Sequence, residues 1–219
     1  MSTAIEKQII RKIFIRLLPL LIGLYIISYL DRVNVGFAAL TMNADIGLSA
    51  SVYGWGAGLF FIGYCLFEVP SNLLMAKVGA RRWIARILFT WGLIATCMAL
   101  VEGPKSFLTL RFLLGVAEAG FFPAVILYLT FWFPARYRAR IVSTFMLSIP
   151  ISLAVGAPVS TALLQLDGWM GLKGWQWLFI IEGIPGMLMV GVVLKYLPDS
   201  PKHASWLTDA ERQWLTTEL

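Results

Sequence analysis

The sequence is poor in charge. Asp, Glu, Lys and Arg make up 14% of its 219 residues, against about a quarter in an ordinary soluble domain. It has one histidine, His203, and two cysteines, Cys65 and Cys97. A lone histidine in the proline-bearing tail supplies neither a catalytic triad nor a His-based metal centre. Both cysteines lie inside apolar runs, which reads as buried thiols rather than a disulfide. A membrane-embedded hydrolase would want Ser–His, Cys–His or metal chemistry within the spans. Nothing in the sequence assembles such a group, so neither an enzyme nor a cofactor is expected. A small-residue cleavage site after a short apolar core is also lacking, so the first run does not read as a removable signal peptide.

What is present is apolar. Hydrophobic residues make up 59% of the chain and the mean hydropathy is +0.78. About 20 mostly apolar residues suffice to cross a bilayer, and six runs qualify, near 13–40, 52–75, 83–101, 107–131, 141–166 and 175–197. The expected architecture is an all-α membrane protein in three parts. Residues 1–12 form a basic segment and 13–197 a six-helix transmembrane bundle. Residues 198–219 begin a linker, with a short amphipathic helix opened by the capping box Thr208-Asp209-Ala210-Glu211.

The net charge of +6 does not form a nucleic-acid patch, because the basic residues sit in short loops between apolar runs. Fourteen of the eighteen Lys and Arg fall on one side, including the run Arg136, Arg138 and Arg140, which reads as a loop. Only Lys105 and Lys173 fall on the other. That asymmetry predicts six spans with both termini cytoplasmic, in the cell (inner) membrane and in contact with lipid. Trp132, Trp175 and Trp177 read as interfacial belt residues.

Ionisable groups at bilayer depth cost several kcal/mol, roughly 2.5–3.5 on insertion scales, and survive by facing a bundle interior or an aqueous cavity. The first span carries Asp31 and Arg32 in the stretch Ser28-Tyr29-Leu30-Asp31-Arg32-Val33-Asn34. The fourth carries Arg111 and Glu118, two turns apart on one helix face. Spans one to three and four to six thus each open with one acid and one arginine. An odd number of spans per triple makes the repeat inverted, and such repeats place a site near the midplane.

Tyr25, Tyr29, Arg32 and Gly36 share a helix face. Arg32 and Arg111 are suited to grip a carboxylate bidentately, with tyrosine hydroxyls and Asn34 as further substrate-binding candidates. A carboxyl group taken out of water holds its proton more readily, so Asp31 and Glu118 are candidates for proton loading. Proton uptake by an acid would free a neighbouring arginine for an anionic substrate. The same acids and arginines would equally suit fold-stabilising ion pairs. Glu68, near a helix end before Pro70, reads as structural, and Glu182 in span six is open between structure and function.

These residues resemble the major facilitator superfamily, and within it the anion:cation symporters, as the N-terminal six-helix half of a twelve-helix protein. The resemblance rests on Tyr29-Leu30-Asp31-Arg32-Val33-Asn34, on Tyr64 before Pro70, and on Arg111 followed by Gly115, Glu118, Ala119 and Pro123. Trp132-Phe133-Pro134 and the tail Pro198-Asp199-Ser200-Pro201 add to it. It implies proton-coupled symport of a small organic anion, of the tartrate, phthalate or sugar-acid type. It also implies substrate contacts from Arg32 and Tyr64, proton sites at Asp31 and Glu118, an organising role for Arg111, and a missing C-terminal six-helix half. The superfamily's loop pattern between spans two and three carries a glycine and an aspartate where this chain has Asn72 and Ala76, which puts the usual gating ion pair there in question. Alternatives are a fragment without transport of its own and a half-size transporter acting as a homodimer.

Overall fold

The structure is a computed structural model that describes residues 3–219. Among the described residues nine α-helices form a bundle: α1 (Thr3–Asp45), α2 (Ala50–Val78), α3 (Ala80–Cys97), α4 (Pro104–Glu118), α5 (Phe121–Thr130), α6 (Ala135–Met146), α7 (Ser148–Leu164), α8 (Gly174–Tyr196) and α9 (Asp209–Glu218). Six stretches of the described residues are long and apolar enough to cross a membrane. Two of them are broken helices, α4 with α5 and α6 with α7.

The basic N-terminal segment and the first span are one continuous helix. Nothing interrupts it, since Pro19 is accommodated within a long apolar run. The arginine run 136–140, read as a loop, is the first turns of α6: Pro134 supplies the N-cap and no breaker follows. The link between α2 and α3 is a single residue, Gly79, at φ +96. That left-handed backbone lies where glycine is nearly alone in being unstrained.

Packing follows the inverted repeat. Spans two and four (α2 with α4) pack together, as do spans one and five (α1 with α7), while span three packs on span six (α3 with α8). Exchanging spans one to three for four to six converts the first pair into the second and leaves the third unchanged. Small residues permit this closeness. A Cβ added to Gly92 would lie 2.9 Å from the Gly183 carbonyl oxygen, and one on Gly115 would run into the Phe60 backbone.

Trp132 and Trp175 do not face lipid. Both are buried, Trp132 stacked on Trp206 with ring centroids 5.7 Å apart, and Trp175 donating to Asp45 Oδ2 at 2.9 Å. Trp175 thus covers its ring while its N–H reaches an exposed carboxylate, and Trp132 is held by ring stacking. Cys97 is half-buried, whereas Cys65 is exposed on the outer face of α2, and both are free thiols.

The tail docks on the basic end of the bundle. Its capping box forms as the sequence indicates, with Thr208 Oγ1 accepting from Glu211 N–H and Glu211 Oε2 accepting from Thr208 N–H. Leu207 and Leu215 are buried, and Arg16 lies over the Trp206 ring at 5.2 Å. Lys12 Nζ donates to both Glu211 oxygens, at 3.0 and 2.7 Å. Partial burial works against the Glu211 charge, but the Lys12 ammonium and the Thr208 backbone outweigh it and hold this carboxyl below its usual range.

A lowered folded-state value means the contribution is complete above the ordinary carboxylate range and is lost as pH falls through the depressed value. Lys12→Met should therefore speed tryptic cleavage at Arg212 at neutral pH by about 2- to 5-fold, the worth of one partly exposed ion pair. In acid below the depressed Glu211 value the variant and the parent should be cleaved alike by an acid-tolerant protease. Equal cleavage rates at neutral pH would show that apolar docking alone holds α9.

Candidate substrate and proton site

Successive residues on an α-helix point about 100° apart, and this separates Asp31 from Arg32. Each finds partners on a different neighbour. Arg32 Nη2 donates to Glu118 Oε1 at 2.7 Å, and Ser28 Oγ donates to the same oxygen at 2.7 Å. Asp31 accepts from Asn34 Nδ2 at 2.8 Å through Oδ1, and from Trp91 Nε1 at 2.5 Å through Oδ2. The acid beside the first span's arginine is thus the one contributed by the fourth span.

Arg32 sits in an aromatic frame. Its Cζ lies 5.2 Å from the Tyr64 ring centroid, 5.7 Å from Phe60 and 6.0 Å from Tyr29, within cation–π range. Its side chain keeps 22% of its surface exposed, against 2% for Glu118. A guanidinium carries five N–H donors, yet the Nε of Arg32 has no partner. A partly exposed guanidinium framed by rings suits the carboxylate of an incoming ligand.

Arg111 is different. It is buried, donates through Nε to the Gly56 carbonyl at 3.2 Å, and packs over Phe60 at 4.7 Å. Its place behind the Phe60 ring ties α4 to α2 and does not open it to a ligand in this conformation. Glu118 is the last residue of α4, where Ala119 turns extended and Gly120 takes φ +84. Spans interrupted at mid-depth are where transporters build their sites, because the freed backbone and the last side chains face the cavity.

The structure brings Arg32, Tyr29, Tyr64 and Glu118 together, with Phe60 and Ser28. It sets Asp31 and Asn34 in a second, fully buried cluster with Trp91. Tyr25, on the same helix face as Tyr29, instead packs among Phe121, Phe122 and Phe145. Trp91 carried one signal in the sequence: a buried indole N–H needs an acceptor. Glu182 of α8 accepts from Ser160 Oγ at 3.1 Å.

Asp199 was legible only as part of the tail. In the structure its Oδ1 accepts from the Arg81 backbone N–H at 2.8 Å, so a carboxylate from beyond span six caps α3. Here a negative charge reaches the loop that lacks its own aspartate, and it meets the helix N-terminus where anions are favoured.

A bundle of six spans with its only intramembrane ion pair, among the described residues, at a broken helix has the architecture of the inverted-repeat membrane proteins. Comparison with known proteins agrees. The Major Facilitator Superfamily profile matches residues 21–218. A protein of Agrobacterium vitis named "Putative tartrate transporter" is 56% identical over 219 residues, covering all of this chain and 51% of that protein. A "Quinolone resistance transporter" of Acinetobacter baumannii is 53% identical, over 98% of this chain and 49% of its own length. The "Inner membrane transport protein RhmT" of Escherichia coli is 42% identical over 219 residues and is likewise covered to 51%.

Among solved structures, a bacterial homologue of the human lysosomal transporter Spinster superposes with a TM-score of 0.74 at 19% identity, over 90% of this chain and 46% of that one. The proton:xylose symporter XylE gives a TM-score of 0.70 at 18% identity, over 97% and 50%. At these identities the likeness is one of fold. The chain belongs to the major facilitator superfamily, and it spans about half the length of the curated relatives it matches. Its architecture is the six-helix half-unit that the sequence resemblance implied.

Proposed function

We propose that these residues form the N-terminal half of a proton-coupled symporter that carries a small organic anion across the cell (inner) membrane by alternating access, with both termini cytoplasmic. The observation that carries the proposal is Arg32, 22% exposed, bound through one nitrogen to Glu118 and set within a frame of aromatic rings. Arg32 receives the substrate carboxylate, with Tyr29 and Tyr64 beside it. Proton uptake by Glu118 weakens its hold on Arg32 and commits the guanidinium to the anion. Asn34 and Arg111 act one layer back, Asn34 by orienting Asp31 and Arg111 by fixing Phe60. A carboxylate substrate also accords with the relatives named for tartrate transport. A C-terminal half would close the other side of the cavity.

The test is uptake of labelled tartrate and related dicarboxylates into vesicles containing the whole protein, with and without an imposed pH gradient. Acid-driven accumulation is expected; uptake that ignores the gradient overturns the symport reading. Asp31→Asn leaves the Arg32–Glu118 pair in place, so anion exchange should survive while gradient-driven accumulation is lost. It turns an acceptor into a donor facing Trp91 or Asn34, at a stability cost of about 1–3 kcal/mol, so folded yield must be matched first.

A further inference from the structure

Cations crowd the basic end of the bundle, and the structure sorts them. Lys12 pairs with Glu211, Arg136 with Glu6 and Glu218, and Arg212 with Asp209. Arg16 lies over Trp206, and Arg138 donates to the Phe133 and Thr130 carbonyls. Lys7, Arg11 and Arg140 are left over. All three are exposed, and no carboxylate lies within ion-pair distance of them among the described residues.

The three share one groove. Lys7, Ile10, Arg11 and Phe14 follow the i, i+3, i+4, i+7 spacing of a single face of α1, and Tyr137, Arg140 and Ile141 do the same on α6. Between these faces lies a groove of about 330 Å³. Ile10 and Ile141 are buried and Phe14 is partly so, which makes its floor apolar and its rim cationic. A clasp holds it open: Tyr137 Oη donates to Glu6 Oε1 at 2.6 Å, and an Arg136 nitrogen meets the same oxygen at 2.8 Å. That clasp ties α1 to α6 and spends the acid next to Lys7. From Lys7 to Phe14 the helix climbs about 10 Å, and a bilayer's headgroup layer is roughly 5–8 Å thick. A ligand lying along the groove therefore passes from headgroup level into hydrocarbon.

We propose that this groove binds one anionic glycerophospholipid, its phosphate held by Lys7, Arg11 and Arg140 and its acyl chains laid over Ile10, Phe14 and Ile141. Charge complementarity selects the occupant. Guanidinium forks from two helices match phosphate oxygens, and an acidic lipid brings no choline to cancel its charge. A soluble phosphate would satisfy the rim but leave the apolar floor in water, whereas a lipid covers both. Basic pockets between transmembrane helices are favourable places for such headgroups. The bound lipid bridges α1 and α6, and so pins the outer turns of spans one and five to each other. The site is separate from Arg32 and does not depend on the symport reading.

The experiment is native mass spectrometry of the whole protein, titrated with phosphatidylglycerol and, separately, with phosphatidylcholine. One phosphatidylglycerol should be retained in preference to phosphatidylcholine. Each basic residue near an anionic surface contributes about a factor of five, so Arg11→Gln with Arg140→Gln should weaken that binding about 10- to 30-fold. Lys77→Gln with Arg82→Gln removes two exposed cations beside the α2–α3 link and should leave it unchanged. Equal weakening by both pairs would mark diffuse attraction and overturn the proposal, as would a groove pair that binds like the parent. A parent without preference also overturns it, and would mean that another part of the whole protein fills the groove. Displacement of the lipid by excess inorganic phosphate would make this a soluble-anion site and overturn the lipid reading. If the groove pair does not fold, the parent is irradiated with phosphatidylglycerol bearing a diazirine on one acyl chain. Cross-links to the peptides holding Phe14 or Ile141, enriched over those from the matching phosphatidylcholine, are expected. Without that enrichment the proposal fails.

Discussion

Arg32→Lys is expected to weaken organic-anion uptake by roughly 10- to 100-fold, chiefly through affinity. A hydrogen bond to a charged group is worth about 1.5–3 kcal/mol, and each 1.4 kcal/mol is a factor of ten. Arg32 already gives Nη2 to Glu118 at 2.7 Å and must still present a fork to the substrate. Lysine keeps the charge but is a point donor without the planar second contact. It also lacks the flat face that lies against Tyr64, Phe60 and Tyr29. The ammonium would still partner Glu118, so the bundle should fold with little change in melting temperature. Concentration-dependent uptake separates the outcomes. A raised half-saturation constant with folded protein supports direct recognition, and parental affinity would remove Arg32 from the substrate site.

Glu118→Gln is expected to abolish acid-driven accumulation while leaving exchange of internal for external anion intact. The amide oxygen can still accept from Ser28 and Arg32, the two donors that meet Oε1, so the broken span keeps its anchor. What disappears is the charge, and a charge-assisted bond is about twice as strong as a neutral one. Arg32 is then held loosely at every pH, as it would be in the protonated parent. Anion affinity should rise slightly and lose its dependence on pH, whereas the parent should bind more tightly in acid. Counterflow and pH-gradient uptake in the same vesicles give both readings. Undiminished accumulation in this variant would reduce Glu118 to a structural partner of Arg32.

Asp31→Asn and Glu118→Gln make a useful pair because their clusters are separate. Only the second touches the guanidinium, so only the second should change affinity. A shift in affinity from Asp31→Asn would mean that its hydrogen bonds to Trp91 and Asn34 steer Arg32 through α1.

Much of this protein was legible without coordinates. Apolar runs of about twenty or more residues can satisfy their backbone in lipid only as helices, and the scarcity of charge made each interior ion conspicuous. The capping box at Thr208 and Glu211 is local chemistry, and it formed where its spacing said it would. The inverted repeat was visible because an acid and an arginine recur in spans one and four.

Partnership was not legible. Sequence adjacency set Asp31 beside Arg32, but helix rotation sends them to different neighbours. Glu118, 86 positions away, takes the arginine, and Trp91, 60 away, takes the aspartate. The break after Glu118 depends on a left-handed Gly120 packed against Ser71, and the run Pro198–Pro201 gave no hint that Asp199 caps α3. Periodicity and hydropathy act along one helix and fix what must be buried. Which buried polar groups meet is decided by how close the helices approach at Gly63, Gly92, Gly115 and Gly183, and that is a property of the packed bundle alone.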